Sequence, residues 1–116
     1  MSIQRIDVGP LMSKAVVHGD TVYLSGLVAN KTLGQGVAEQ TREILEIIDG
    51  YLAQAGTDKS KLLRTNIWLT DIATWAEMNS VWTEWIDSMN PPARATVEAK
   101  LANRQAKIEI MVVAAK

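Results

Sequence analysis

Two charged residues stand where charge is costly. Arg94 follows directly on Pro91, Pro92 and Ala93 and leads into an alternating segment, and Glu109 lies between Ile108 and Ile110 at the head of a Met-Val-Val-Ala-Ala run. A planar guanidinium binds a planar carboxylate through two parallel hydrogen bonds. A carboxylate beside a reacting centre can accept a proton from water. An unpaired buried charge is prohibitive, so two readings stay open from the residues alone. Either both groups are solvated at strand ends, or both face a shared cavity.

Composition removes several other chemistries. The 116 residues contain no cysteine, which excludes a disulfide framework, a thiolate metal site and a cysteine nucleophile. The single histidine, His18, leaves no pair of imidazoles for a metal within one chain. The net charge is −1 and no long basic stripe exists, so nucleic-acid binding has little electrostatic support. The segment Met1 to Pro10 lacks the apolar stretch of a signal peptide, and the apolar run Ile110 to Ala115 is far too short to cross a bilayer. A soluble cytoplasmic protein is the expectation. The length suits one domain burying roughly 65% of its unfolded surface.

The elements that must position Arg94 and Glu109 follow from periodicity. Ser2 to Ile6 alternates as a strand, and Ala15 to His18, a Gly19-Asp20 turn and Thr21 to Ser25 read as a hairpin. Apolar residues at Val37, Ile44, Leu45, Ile48, Leu52 and Ala55 have helical spacing, closed by Gly56. Lys61 to Thr70 reads as a strand. Thr74 to Glu77 has the form of a capping box for a second helix carrying Trp75, Met78, Trp82, Trp85 and Met89, stopped by Asn90-Pro91-Pro92. Ala95 to Leu101 and Lys107 to Ala115 read as the last strands. The order β-β-β-α-β-α-β-β predicts one α+β domain over residues 1–116, a mixed six-stranded sheet with both helices on one face. In the last strand Ile108, Ile110, Val112 and Ala114 point one way, whereas Glu109, Met111, Val113 and Ala115 point the other. The second set is too apolar for open water and predicts self-association.

The stretch from Pro92 to Ile110 resembles the C-terminal signature of the Rid (YjgF/YER057c/UK114) family. Pro92, Ala93, Arg94, Ala95 and Val97, then Ile108, Glu109 and Ile110, stand at its spacing. Val22 to Gly26 resembles the family strand ending in Ser-Gly, and Thr65 to Trp85 its strand, Asp-containing turn and Met-Asn-centred helix. The resemblance implies a chorismate-mutase-like fold assembled as a homotrimer, with sheets inward, helices outward and three clefts between subunits. It implies hydrolysis of reactive 2-imino and enamino acids to 2-keto acids and ammonia, with no cofactor and no metal. Arg94 then grips the substrate carboxylate and Glu109 positions the attacking water.

Other positions carry weaker signals. Ser25 and Asn79 match a serine and an asparagine of the family, against the plainer readings of a strand-end hydroxyl and a mid-helix polar residue. Thr96 stands where well-known members have cysteine; a thiol role is absent, and the resemblance leaves its backbone N–H to help hold the carboxylate. The N-terminal Gly-Pro-Tyr of the best-studied branch is here Gly9-Pro10-Leu11, which resembles a divergent branch of small Rid proteins. A non-catalytic trimer that senses a small carboxylate through Arg94 is the competing function. A chaperone, protein-interaction or nuclease role is a third class.

Overall fold

A computed structural model describes residues 1–116. Six strands form one sheet: β1 (Ile3–Val8), β2 (Ser13–His18), β3 (Thr21–Leu24), β4 (Leu62–Leu69), β5 (Ala93–Glu98) and β6 (Ile108–Ala115). The spatial order is β1-β2-β3-β6-β4-β5. Every pairing is antiparallel except β4 with β5, which is parallel. Parallel pairing needs a crossover, and the second helix supplies it.

The helices α1 (Val37–Gln54) and α2 (Trp75–Trp85) cover one face. Ile44, Ile48 and Leu52 of α1 and Met78, Val81 and Trp82 of α2 bury themselves against Ile67, Leu69, Ile108, Ile110, Val112 and Ala114 of the sheet. The expected α+β architecture is the one observed. Gly56 ends α1 in the left-handed region (φ 83), and the N–H groups of Gly56 and Thr57 return to the carbonyls of Ala53 and Leu52. Only glycine reaches that conformation at no steric cost.

The second helix departs from expectation at both ends. Thr74 makes no cap to α2; its hydroxyl donates to the Asp71 carbonyl at 2.7 Å. Asp71 caps the preceding 3-10 turn by accepting from the Ala73 N–H at 2.9 Å. The Asp71 carbonyl also accepts from the Thr74 N–H at 3.0 Å, the donor that Glu77 of a capping box would have taken. At the other end α2 stops at Trp85, because Ile86 turns extended. Asp87 then organises a turn by accepting from Met89 N–H and the Asn90 side chain. Met89 lies beyond the helix and is exposed, as is Trp75, so the apolar stripe of α2 is shorter than its sequence suggests. The prolines open β5, which spans Ala93–Glu98 and so begins before Ala95 and ends before Leu101.

Two polar side chains fix the strands that carry the charged pair. Gln40, wholly buried on α1, donates to the carbonyls of Gln35 and Gln105 and accepts from the Lys107 N–H. That ties the entry of β6 to the helix layer two residues before Glu109. At the end of β5, Glu98 accepts from the Ile72 N–H at 3.0 Å and Ala99 N–H reaches Leu69 O at 2.9 Å. The start of α2 is thereby tied to the strand that bears Arg94.

Candidate active site

Sheet register decides where the charges go. Arg94 is paired with Thr65 on β4, and Thr65 in turn with Val112 on β6. Paired residues share a face, so Arg94 lies on the helix-covered side. Its guanidinium carbon lies 5.3 Å from the Trp82 ring centroid, a cation–π arrangement. Glu109 is paired with Trp68, three residues along β4 from Thr65, and therefore lies on the opposite, helix-free face. Within one chain the two groups are separated by the sheet itself.

Around Arg94 the chain assembles hydrogen-bonding groups with nothing to bond. Thr96 lies two residues further along the same face of β5, paired with Ile67, and Thr65 lies beside Arg94. Asn79 precedes Trp82 by one turn of α2, and so lies on the same side of that helix. The side-chain oxygens Thr65 Oγ1, Asn79 Oδ1 and Thr96 Oγ1 are all buried without a partner. Buried polar groups are ordinarily satisfied, and these three exceptions fall on the same side of the sheet as Arg94. Burial lowers the Arg94 pKa from its ordinary value, and no carboxylate of the chain contributes to the shift. The guanidinium remains charged at any working pH.

On the other face, Glu109 is half-buried between Met111 on its own strand and Trp68 across the ladder. Hydrogen bonds reach the carboxylates of Asp7, Glu43, Asp49, Asp58, Asp71, Asp87 and Glu98, but not that of Glu109. It packs instead against Gly26, just beyond the end of β3. Ser25 adjoins Gly26, and its Oγ is a fourth buried oxygen without a partner. Five concavities mark the surface of the chain, and neither Arg94 nor Glu109 lines any of them.

The chain matches the family described as Endoribonuclease L-PSP over residues 3–116. It belongs to that family. A RutC family protein of Haemophilus influenzae is 43% identical over 114 residues, covering 98% of each chain. The RutC family protein YoaB of Escherichia coli K12 is 39% identical over 115 residues and 99% of each chain. Among solved structures, a YjgF family member from Neisseria meningitidis has a TM-score of 0.96 at 40% identity, covering all of this chain and 96% of the other. A YjgF/YER057c/UK114 member from Mycobacterium tuberculosis has a TM-score of 0.88 at 28% identity, covering 99% of this chain and all of the other. The Rid resemblance read from the sequence thus holds at the level of family and fold.

Of the five site residues read from this L-PSP family sequence, the structure groups Arg94, Asn79 and Thr96 on one face and Glu109 with Ser25 near the other. The sequence reading missed Thr65, Gly26 and Trp68. Thr65 had a usable signal, a lone hydroxyl on the side of β4 otherwise formed by Ile67 and Leu69. No group of three or more histidine, aspartate or glutamate side chains converges so as to hold a metal ion. No helix is long and apolar enough to cross a membrane.

Proposed function

We propose that the protein hydrolyses 2-imino and enamino acids to 2-keto acids and ammonia, in clefts completed by a neighbouring subunit of a homotrimer. The observation that carries this reading is the partly buried Arg94 on the sheet face that also bears Thr65, Thr96 and, across on α2, Asn79, whose side-chain oxygens lack partners. A planar carboxylate takes the guanidinium in bidentate fashion, and the threonine hydroxyls and the Asn79 amide complete its bonding. Such a grip presents the adjacent imine carbon to a second group. Glu109 suits that group: it is a carboxylate free of internal partners on a half-apolar face.

The chemistry then balances without a cofactor. Water adds to the electrophilic imine carbon, forming the C–O bond, while Glu109 takes a proton from that water. That proton passes to nitrogen and gives a carbinolamine. Glu109 then takes the carbinolamine's hydroxyl proton and hands it to nitrogen as the C=O bond forms and the C–N bond breaks, so ammonia leaves a 2-keto acid. An enamino acid first tautomerises to the imine by protonation at carbon. Glu109 acts as general base and then general acid, and the carboxylate grip contributes proximity. Because Arg94 and Glu109 lie on opposite faces of one sheet, they meet at a substrate only if one comes from a second chain. The family description names an endoribonuclease, but a chain of net charge −1 has little attraction for a phosphodiester backbone.

A coupled assay tests the proposal. An amino-acid oxidase generates imines from a panel of amino acids, and free ammonia is followed with and without the protein. Faster ammonia release for at least one imine is expected. Equal rates across the panel would leave the carboxylate-binding reading, in which Arg94 works and Glu109 does not.

A further inference from the structure

We infer that Gly26 is the positioning residue for Glu109: it lacks a side chain because the Glu109 carboxylate occupies the space a side chain would need. The inference rests on the proposed hydrolysis and deepens it. The positive-φ glycines are Gly19, Gly34 and Gly56, so the backbone at Gly26 is one that an alanine can adopt. Space is what forbids it. A Cβ at Gly26 would lie 3.0 Å from Glu109 Cδ and 3.4 Å from Cγ, with Oε2 closer still.

The backbone reaches this point through a bulge. Tyr23 pairs with Val113, and pairing resumes at Leu27 with Ile110, so the β3 side carries one extra residue between them. Bulges re-aim a strand, and here the extra residue brings Gly26 over the Glu109 side chain. The chain is held on both flanks. Ser25 N–H donates to Lys14 O at 2.9 Å, and Leu27 and Ile110 exchange N–H···O bonds of 2.8 and 3.0 Å. With that backbone fixed, an added methyl displaces the flexible end of Glu109, and the fold remains. No hydrogen bond holds the carboxylate, so packing sets its position, with the bare surface of Gly26 on one side and Trp68 and Met111 flanking it in the sheet.

Gly26→Ala should therefore fold and bind pyruvate within about 2-fold of the wild type through Arg94, while imine hydrolysis falls by roughly 10- to 100-fold, the cost of misplacing a reacting group by about 1 Å. In a Glu109→Asp background the carboxylate is about one C–C bond, ~1.5 Å, shorter. There the same Gly26→Ala change should cost less than about 2-fold, a non-additivity expected of residues in contact. Undiminished turnover in Gly26→Ala, or equal costs in the two backgrounds, overturns the inference. If Gly26→Ala does not fold, the double variant with Glu109→Ala empties the contested space. Folding of that double variant supports the assignment, and its failure overturns it. If the wild type hydrolyses no imine, the proposed function fails separately. A crystal structure of Gly26→Ala then decides: a displaced Glu109 carboxylate supports the seat, and an unmoved one overturns it.

Discussion

Arg94 and Glu109 are asked for different contributions, and a pair of variants separates them. Arg94→Ala removes the cation while leaving Thr65, Asn79 and Thr96 in place. Affinity for simple 2-keto acids should fall by about 2–5 kcal/mol, since charge-assisted bidentate bonding is lost. Turnover should fall with it. Glu109→Gln keeps the grip, so ligand affinity should stay close to the wild type while hydrolysis drops by roughly 10²-fold, because an amide cannot take the proton of water. Isothermal titration with pyruvate and the ammonia assay give both numbers on each variant. Loss of rate and affinity together in Glu109→Gln, in step with a lower Tm, would instead make Glu109 a structural carboxylate. The sequence made both residues visible because each is a charge in an apolar setting. It hid Thr65 and Gly26, whose roles come from what lies next to them rather than from their own chemistry.

At the scale of elements, α1 holds the segment that follows Gly26. Glu43 accepts from the N–H groups of Asn30, Lys31 and Thr32 at 2.8, 3.0 and 2.9 Å and from the Thr32 hydroxyl at 2.7 Å. Desolvation pushes its pKa up, but the bonds from Lys31, Thr32 and Asn30 outweigh it and hold the carboxyl at about 2, below its ordinary 4.5. A depressed carboxyl stabilises the fold above the unfolded value and loses that contribution as pH falls from about 4.5 toward 2. Glu43→Gln should therefore cost about 1–2 kcal/mol at neutral pH, a modest figure because the clamp faces solvent. The gap from the wild type should close as pH drops through that window. Thermal melts at a series of pH values check it, and a gap that widens in acid would refute the clamp. Element type was legible throughout, since each strand and helix has a clear period. The ends of α2 were not, because Asp71 and Asp87 form local turns that compete with the threonine box and the proline stop. Register was not legible either, and register is what puts Arg94 and Glu109 on opposite faces.

The whole molecule presents one face that a single chain leaves uncovered. Tyr23 pairs with Val16 on one side and Val113 on the other, and Trp68 lies between Glu109 and Val97. Tyr23 and Val97 are 47% and 49% exposed, and Met111, Val113 and Ala115 are half-buried. Alternation in β6 made this face readable from sequence; Tyr23 on β3, Trp68 on β4 and Ala95 and Val97 on β5 extend it, and Arg64 and Asn66 are its polar members. In the proposed trimer other copies cover this patch. Light scattering at micromolar concentration should give three times the chain mass of 12.7 kDa. A monomer would remove the shared clefts and the proposed reaction with them.

The separation of Arg94 from Glu109 by the thickness of one sheet has a genetic reading. If each cleft takes its arginine from one chain and its glutamate from the next, two inactive alleles can complement each other. In a ring of three, every trimer mixed from Arg94→Ala and Glu109→Gln chains contains one cleft with both groups intact. Random assembly from equal amounts should restore about a quarter of wild-type turnover, as closed three-fold symmetry dictates. Co-expression, or refolding of the mixture, measures it against each parent alone. Recovery near zero would mean that both groups of a working site belong to the same chain.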